Sequence, residues 1–212
     1  MNMSPGRRDE ATFAAMLKDI DLAMSFVSEN ISRFGITPRR YLLMGESAGA
    51  HLALLYAYDG ENPSPLSLGL EHKIRFERVV DIVGPVDFAL LNGGVDTSAL
   101  KGDNPIMRMK TLFNRLVGLQ DAATDAELIP VLDRYSPVKL VCGSSPETVM
   151  AYGRLAALLP TDGLIPVSQM KSLEKALDRH GVKRVSRVFD GIHHGNVSTE
   201  GARWIVAETL KP

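Results

Sequence analysis

At 212 residues, 45% hydrophobic and 23% charged, the chain can fill one hydrophobic core but not two ordinary catalytic domains. Lys and Arg total 24 against 25 for Asp and Glu, and a net charge of -1 offers no counterion-release drive toward a nucleic acid and no polybasic membrane attachment. The single cysteine, Cys142, excludes an intramolecular disulfide, no Cys or His spacing resembles a zinc site, and no apolar run reaches the roughly 18 residues of a spanning helix. The opening residues Met1 to Arg8 lack the apolar core of a secretory signal, so a single cytoplasmic domain, residues 1–212, is expected.

From Glu10 to Arg33, Phe13, Met16, Leu17, Ile20, Met24, Val27 and Ile31 recur at three- and four-residue spacings, which predicts an amphipathic helix stopped by Gly35. Tyr41 to Met44 is an apolar run of strand length, and Ala48 to Tyr58 returns to helical density. Val79 to Val83, Thr148 to Tyr152 and Val185 to Phe189 are the other compact apolar or β-branched runs, each separated from the next by helix-length material. The long stretch from Gly84 to Ser145 reads as an elaborated or lid-like connection with helices around Met107–Val117 and Asp125–Asp133. Leu173–His180 and Ala202–Leu210 complete the helices. The alternation predicts an α/β fold, a mostly parallel sheet with helices on both faces.

Gly45-Glu46-Ser47-Ala48-Gly49 is a G-x-S-x-G pattern placed between a predicted strand and a predicted helix. That placement puts a serine on a sharp turn with its hydroxyl at the end of the sheet, and small residues on either side let the helix fold back across the strand. A serine hydroxyl is a weak nucleophile at neutral pH. It needs a base to take its proton and a carboxylate to orient that base. His51, one turn into the helix, reads as a hydrogen-bonded structural histidine. Glu46 fills the variable position of the turn, and Asp190 reads as a turn residue.

The segment Arg39-Arg40-Tyr41-Leu42-Leu43-Met44-Gly45-Glu46-Ser47-Ala48-Gly49-Ala50-His51-Leu52-Ala53 resembles the helix-and-elbow region of the α/β-hydrolases, in the esterase and lipase branch related to hormone-sensitive lipase. Gly84-Pro85-Val86-Asp87, Asp162-Gly163-Leu164-Ile165-Pro166-Val167 and Gly191-Ile192-His193-His194-Gly195 extend the resemblance over most of the chain. It implies Ser47 as nucleophile, Asp162 as the triad acid, His194 as the base with His193 as the alternative, and the Ala48 N–H as one oxyanion donor. No cofactor is implied. The implied function is a serine hydrolase cleaving small carboxylic esters through an acyl-enzyme. Nothing before Ser47 matches the glycine-rich loop from which the family draws its second oxyanion donor, so the chain reads as the C-terminal two-thirds of the fold. The alternative is therefore a non-catalytic truncated scaffold acting as a binding or assembly module. With its neighbouring strands missing, Tyr41–Met44 becomes an apolar sheet edge, and a homo-oligomer burying it is expected.

Overall fold

A computed structural model describes residues 12–91, 105–154 and 165–211. Helix α1, Phe13–Asn30, starts at Thr12, whose hydroxyl accepts the Ala15 N–H, and runs into a 3-10 turn, Ile31–Phe34, stopped by left-handed Gly35. Strand β1, Leu42–Glu46, and helix α2, Ala48–Asp59, follow. Strand β2 is Arg78–Ile82, and helices α3, Phe88–Leu91, α4, Pro105–Leu116, and α5, Asp125–Arg134, fill the long connection. Strand β3 is Glu147–Arg154, helix α6 Val167–Arg179 and strand β4 Arg184–Asp190. Two short helices, α7, Val197–Glu200, and α8, Ala202–Thr209, close the described chain.

The strands form one parallel sheet in the order β1-β2-β3-β4, with Gly45 beside Asp81 and Asp81 beside Met150. Side chains alternate across the sheet, and their partners identify what covers each face. Thr148 meets Tyr58 of α2, and its register partner Arg184 meets Glu174 of α6, so α2 and α6 share one face. Helix α1 lies on that side too, joined to α2 by the Tyr56 hydroxyl donating to Asp21. The other face belongs to α7 and α8: Phe189 packs edge-on against Trp204, and Ser198 donates to Glu46. Val79, Val80, Val149, Met150, Ala151 and Tyr152 are fully buried between the layers. A second, smaller cluster joins Phe13 of α1 to Phe88, Leu128 and Leu132 of the long connection.

All four predicted strands are present. Two helices depart from the periodicity. Helix α6 begins six residues before Leu173, because its first turn buries a polar residue rather than an apolar one: the Gln169 amide accepts the Val86 and Asp87 N–H groups and donates to the Asp87 carbonyl. Helix α3, absent from the sequence reading, starts where the Asp87 carboxylate accepts the Ala89 N–H.

Candidate active site

The turn between β1 and α2 places Ser47 at φ 52° and ψ -121°. A residue with a side chain adopts this conformation only under constraint, at a cost on the order of 1–3 kcal/mol. The surroundings supply the constraint. The Ser47 N–H donates to the Ile82 carbonyl of β2 at 2.8 Å, and the Ser47 carbonyl accepts the Ala50 and His51 N–H groups at 3.0 and 3.1 Å. A Cβ at Gly45 would lie 2.2 Å from the Gly49 carbonyl oxygen, so only glycine lets α2 fold back this closely. Gly49 corrects the sequence reading. A Cβ there meets nothing within 4 Å, because the second residue of α2 points away from the strand. Ala48 is exposed at the first position of α2, where a helix leaves the N–H without an intrahelical acceptor.

Beyond β4, Gly191 reverses the chain at φ 77° and delivers two adjacent histidines. His194 Nε2 lies 3.2 Å from Ser47 Oγ. His193 faces elsewhere: its Nδ1 accepts the Gly195 N–H at 3.1 Å and starts the 3-10 turn His194–Asn196. The Ser198 hydroxyl donates to Glu46 at 3.1 Å, so the residue before the serine also holds the helix that follows the histidine. Serine and histidine are thus tied together from both sides. Asp162 lies outside the described residues.

The other titratable candidates fall into structural roles. His51 is buried, its Nε2–H donates to the Tyr135 carbonyl at 2.8 Å, and its ring sits between Phe13 and Phe88. Burial pushes it down to about 4, so the ring is neutral at physiological pH. Asp190 is exposed and pairs with Arg154 at 3.2 Å. Among the described residues no group of three or more His, Cys, Asp or Glu side chains is arranged to hold a metal ion.

A cleft of about 250 Å³ opens beside His194, lined mainly by Val83, Ile165, Pro166, Val167 and Ile192, with Arg154 at its charged wall. Val83, at φ 49°, is the second strained residue at this end of the sheet. It follows the Ile82 carbonyl that holds Ser47, and its own N–H donates to Ala151 at 3.0 Å. The turn is closed from beneath by Asp81, which is fully buried. Asp81 Oδ1 accepts the Gly84 N–H at 2.8 Å, and the Tyr152 hydroxyl lies 2.8 Å from Oδ2 and 2.5 Å from the Gly84 carbonyl oxygen. A Cβ on Gly84 would meet Asp81 Oδ1 at 2.6 Å and the Ala50 methyl at 2.8 Å, so this turn nests directly against α2. Burial pushes Asp81 up to about 7, against the opposing pull of its bonds to Tyr152 and Gly84. The sequence reading missed Asp81. The signal for it was a lone carboxylate in the otherwise apolar run Val79-Val80-Asp81-Ile82-Val83.

Residues 6–177 match the family model BD-FAE. A truncated form of carbohydrate esterase from gut microbiota superposes with a TM-score of 0.68 at 20% identity, covering 96% of this chain and 72% of that one. An acetyl ester-xyloside bifunctional hydrolase from Caldicellulosiruptor lactoaceticus gives 0.60 at 21% identity, over 95% and 64% of the two chains. A lipase/esterase from Lactobacillus plantarum gives 0.59 at 16%, over 92% and 66%. An isoprenylcysteine alpha-carbonyl methylesterase from Arabidopsis thaliana is 50% identical over 44 residues, which is 21% of this chain and 10% of that protein. The matched stretch therefore spans about a tenth of the curated relatives' length, and the chain covers roughly two-thirds of the solved structures.

Proposed function

The chain belongs to the BD-FAE family, and from that premise we propose that it is a serine hydrolase of small carboxylic esters that works through an acyl-enzyme. The observation that carries the reading is the 3.2 Å approach of His194 Nε2 to Ser47 Oγ on a strained strand-to-helix turn. That separation is the outer range of a hydrogen bond, as expected before substrate tightens the pair. The names of the structural neighbours and of the methylesterase relative support ester hydrolysis as the reaction class.

In the proposed reaction Ser47 Oγ attacks the ester carbonyl carbon while its proton passes to His194 Nε2, and the carbonyl electron pair moves onto the oxygen. The Ala48 N–H, at the positive end of α2, stabilises that oxygen. The intermediate collapses, the alkoxide leaves with the proton held by His194, and water repeats the sequence to release the acid. Asp162 is assigned to orient the imidazole and stabilise its charge. The cleft beside His194 has room for a small, largely apolar acyl or alcohol group.

A fluorophosphonate probe tests the nucleophile directly. Stoichiometric labelling of Ser47, together with loss of p-nitrophenyl acetate hydrolysis in Ser47→Ala, is the expected result. Folded protein that neither labels nor hydrolyses would instead favour the scaffold reading.

A further inference from the structure

The two strained residues at this end of the sheet, Ser47 at φ 52° and Val83 at φ 49°, are joined by one peptide unit. Its Ile82 carbonyl accepts the Ser47 N–H at 2.8 Å on one side, and its Val83 N–H donates to the Ala151 carbonyl at 3.0 Å on the other. The plane of that peptide therefore sets where the elbow backbone sits. Rotation about the Val83 N–Cα bond would tilt it, and a β-branched residue at positive φ is stabilised by rotating away. Something must hold Val83 from its C-terminal side. The far end of the turn is fixed by Gln169, whose side-chain oxygen accepts the Val86 and Asp87 N–H groups. The near end is Gly84, with its N–H taken by Asp81 Oδ1 and its carbonyl by the Tyr152 hydroxyl. Asp81 and Tyr152 bond each other, and both are fully buried, where bulk water does not replace a lost hydrogen bond. Gly84 also lies against the first turn of α2: a Cβ on it would stand 3.3 Å from the His51 nitrogen, whose N–H donates to the Ser47 carbonyl. Both backbone groups of Ser47 thus depend on this one turn.

We propose that Asp81 is a positioning residue for Ser47: with Tyr152 it clamps Gly84, keeps Val83 at positive φ, and through the Ile82 carbonyl holds the serine backbone in the conformation that sends Oγ to His194. The catalytic consequence rests on the serine-hydrolase reading; the clamp itself does not. Fully buried, the carboxyl touches no substrate, so its whole effect on hydrolysis passes through the elbow. Its register partner on β1 is Gly45, two residues before the serine, and its partner on β3 is Met150, one residue before the Ala151 carbonyl. Asp81 thus sits between the two strands that the Ile82–Val83 peptide bridges. Removing the carboxylate frees Gly84, lets Val83 relax, and turns the Ile82 carbonyl away from the Ser47 N–H.

Amide hydrogen exchange read by NMR needs no substrate and tests the clamp directly. In Asp81→Leu, which fills the site without a hydrogen-bonding group, the Ser47 and Val83 N–H groups should exchange about tenfold faster while the amides of β4 keep wild-type protection. Asp81→Asn, which keeps an acceptor for Gly84 and a donor for Tyr152, should protect both amides as the wild type does. Should Asp81→Leu not fold, Tyr152→Phe removes the hydroxyl alone and should loosen the same two amides. Hydrolysis of p-nitrophenyl acetate then reads the consequence: kcat about 10- to 100-fold lower in Asp81→Leu with KM changed by less than about threefold, and most of kcat restored in Asp81→Asn. Equal acceleration in every element, unchanged Ser47 and Val83 amides, or full kcat in a variant whose amides have loosened would each overturn the proposal. A wild-type chain that never hydrolyses the ester, with exchange behaving as expected, would remove the esterase reading and leave the clamp standing.

Discussion

With Asp81 ionised, its Oδ2, the Tyr152 hydroxyl and the Gly84 carbonyl oxygen share one proton between contacts of 2.8 and 2.5 Å; with Asp81 protonated, each contact has its own donor. Geometry and burial therefore agree on a carboxyl that takes up a proton on folding. Its folded value, about 7, lies above the ordinary unfolded range near 4, so the folded state binds more protons between those limits and loses stability as pH rises through them. Asp81→Asn keeps the acceptor for Gly84 and supplies a permanent donor to Tyr152. Urea titrations should show wild type losing up to about 1.4 kcal/mol per pH unit relative to the variant between pH ~4 and ~7. Parallel curves would remove Asp81 from that role. The histidines make a second contrast. His194→Ala should lower kcat by about 100- to 10,000-fold, whereas His193→Ala, which removes the acceptor that starts the 3-10 turn and not the group facing Ser47, should retain a substantial part of the activity. The serine was legible because its motif is local. The choice between the histidines was not, since it depends on which ring the turn at Gly191 sends toward β1.

At the level of elements, Arg78 anchors helix α8 to the sheet through polar contacts. Its side chain is 4% exposed; Nη1 donates to the Glu208, Thr209 and Lys211 carbonyls at the end of α8, and Nη2 pairs with Glu147 at 2.8 Å. The Glu208 and Thr209 carbonyls are among those a helix leaves without intrahelical donors, and a cation suits the negative end. Arg78→Met removes the donor to the Glu208 and Thr209 carbonyls and the partner of Glu147, while Lys211 keeps Arg40, and should cost about 3–5 kcal/mol. Hydrogen exchange should accelerate first in α8. Normal protection of α8 in the variant would show that packing alone holds it. The sequence displayed the strands well, because short compact runs rich in apolar and β-branched residues between helix-length segments have few other readings. It displayed α6 poorly, because Gln169 is buried for its bonds to the turn after β2 and contributes nothing to an apolar stripe. Long-range polar pairing of this kind leaves no period in the chain.

For the molecule as a whole, the expectation of helices on both faces holds, but unevenly. Helices α1, α2 and α6 cover one face, while α7 and α8 serve the other, and Met44 stays exposed beside them. The sheet order β1-β2-β3-β4 was not readable from spacing, because spacing says which segments are strands and not which of them lie side by side. This lopsidedness has a consequence in time. All four strands among the described residues precede α8 in the chain, so a ribosome delivers them before it delivers the cover for Val80, Ile82, Val149 and Ala151. At about 5–20 residues per second the nascent sheet waits on the order of seconds with that apolar surface bare, longer than local folding needs and long enough to be noticed by a chaperone.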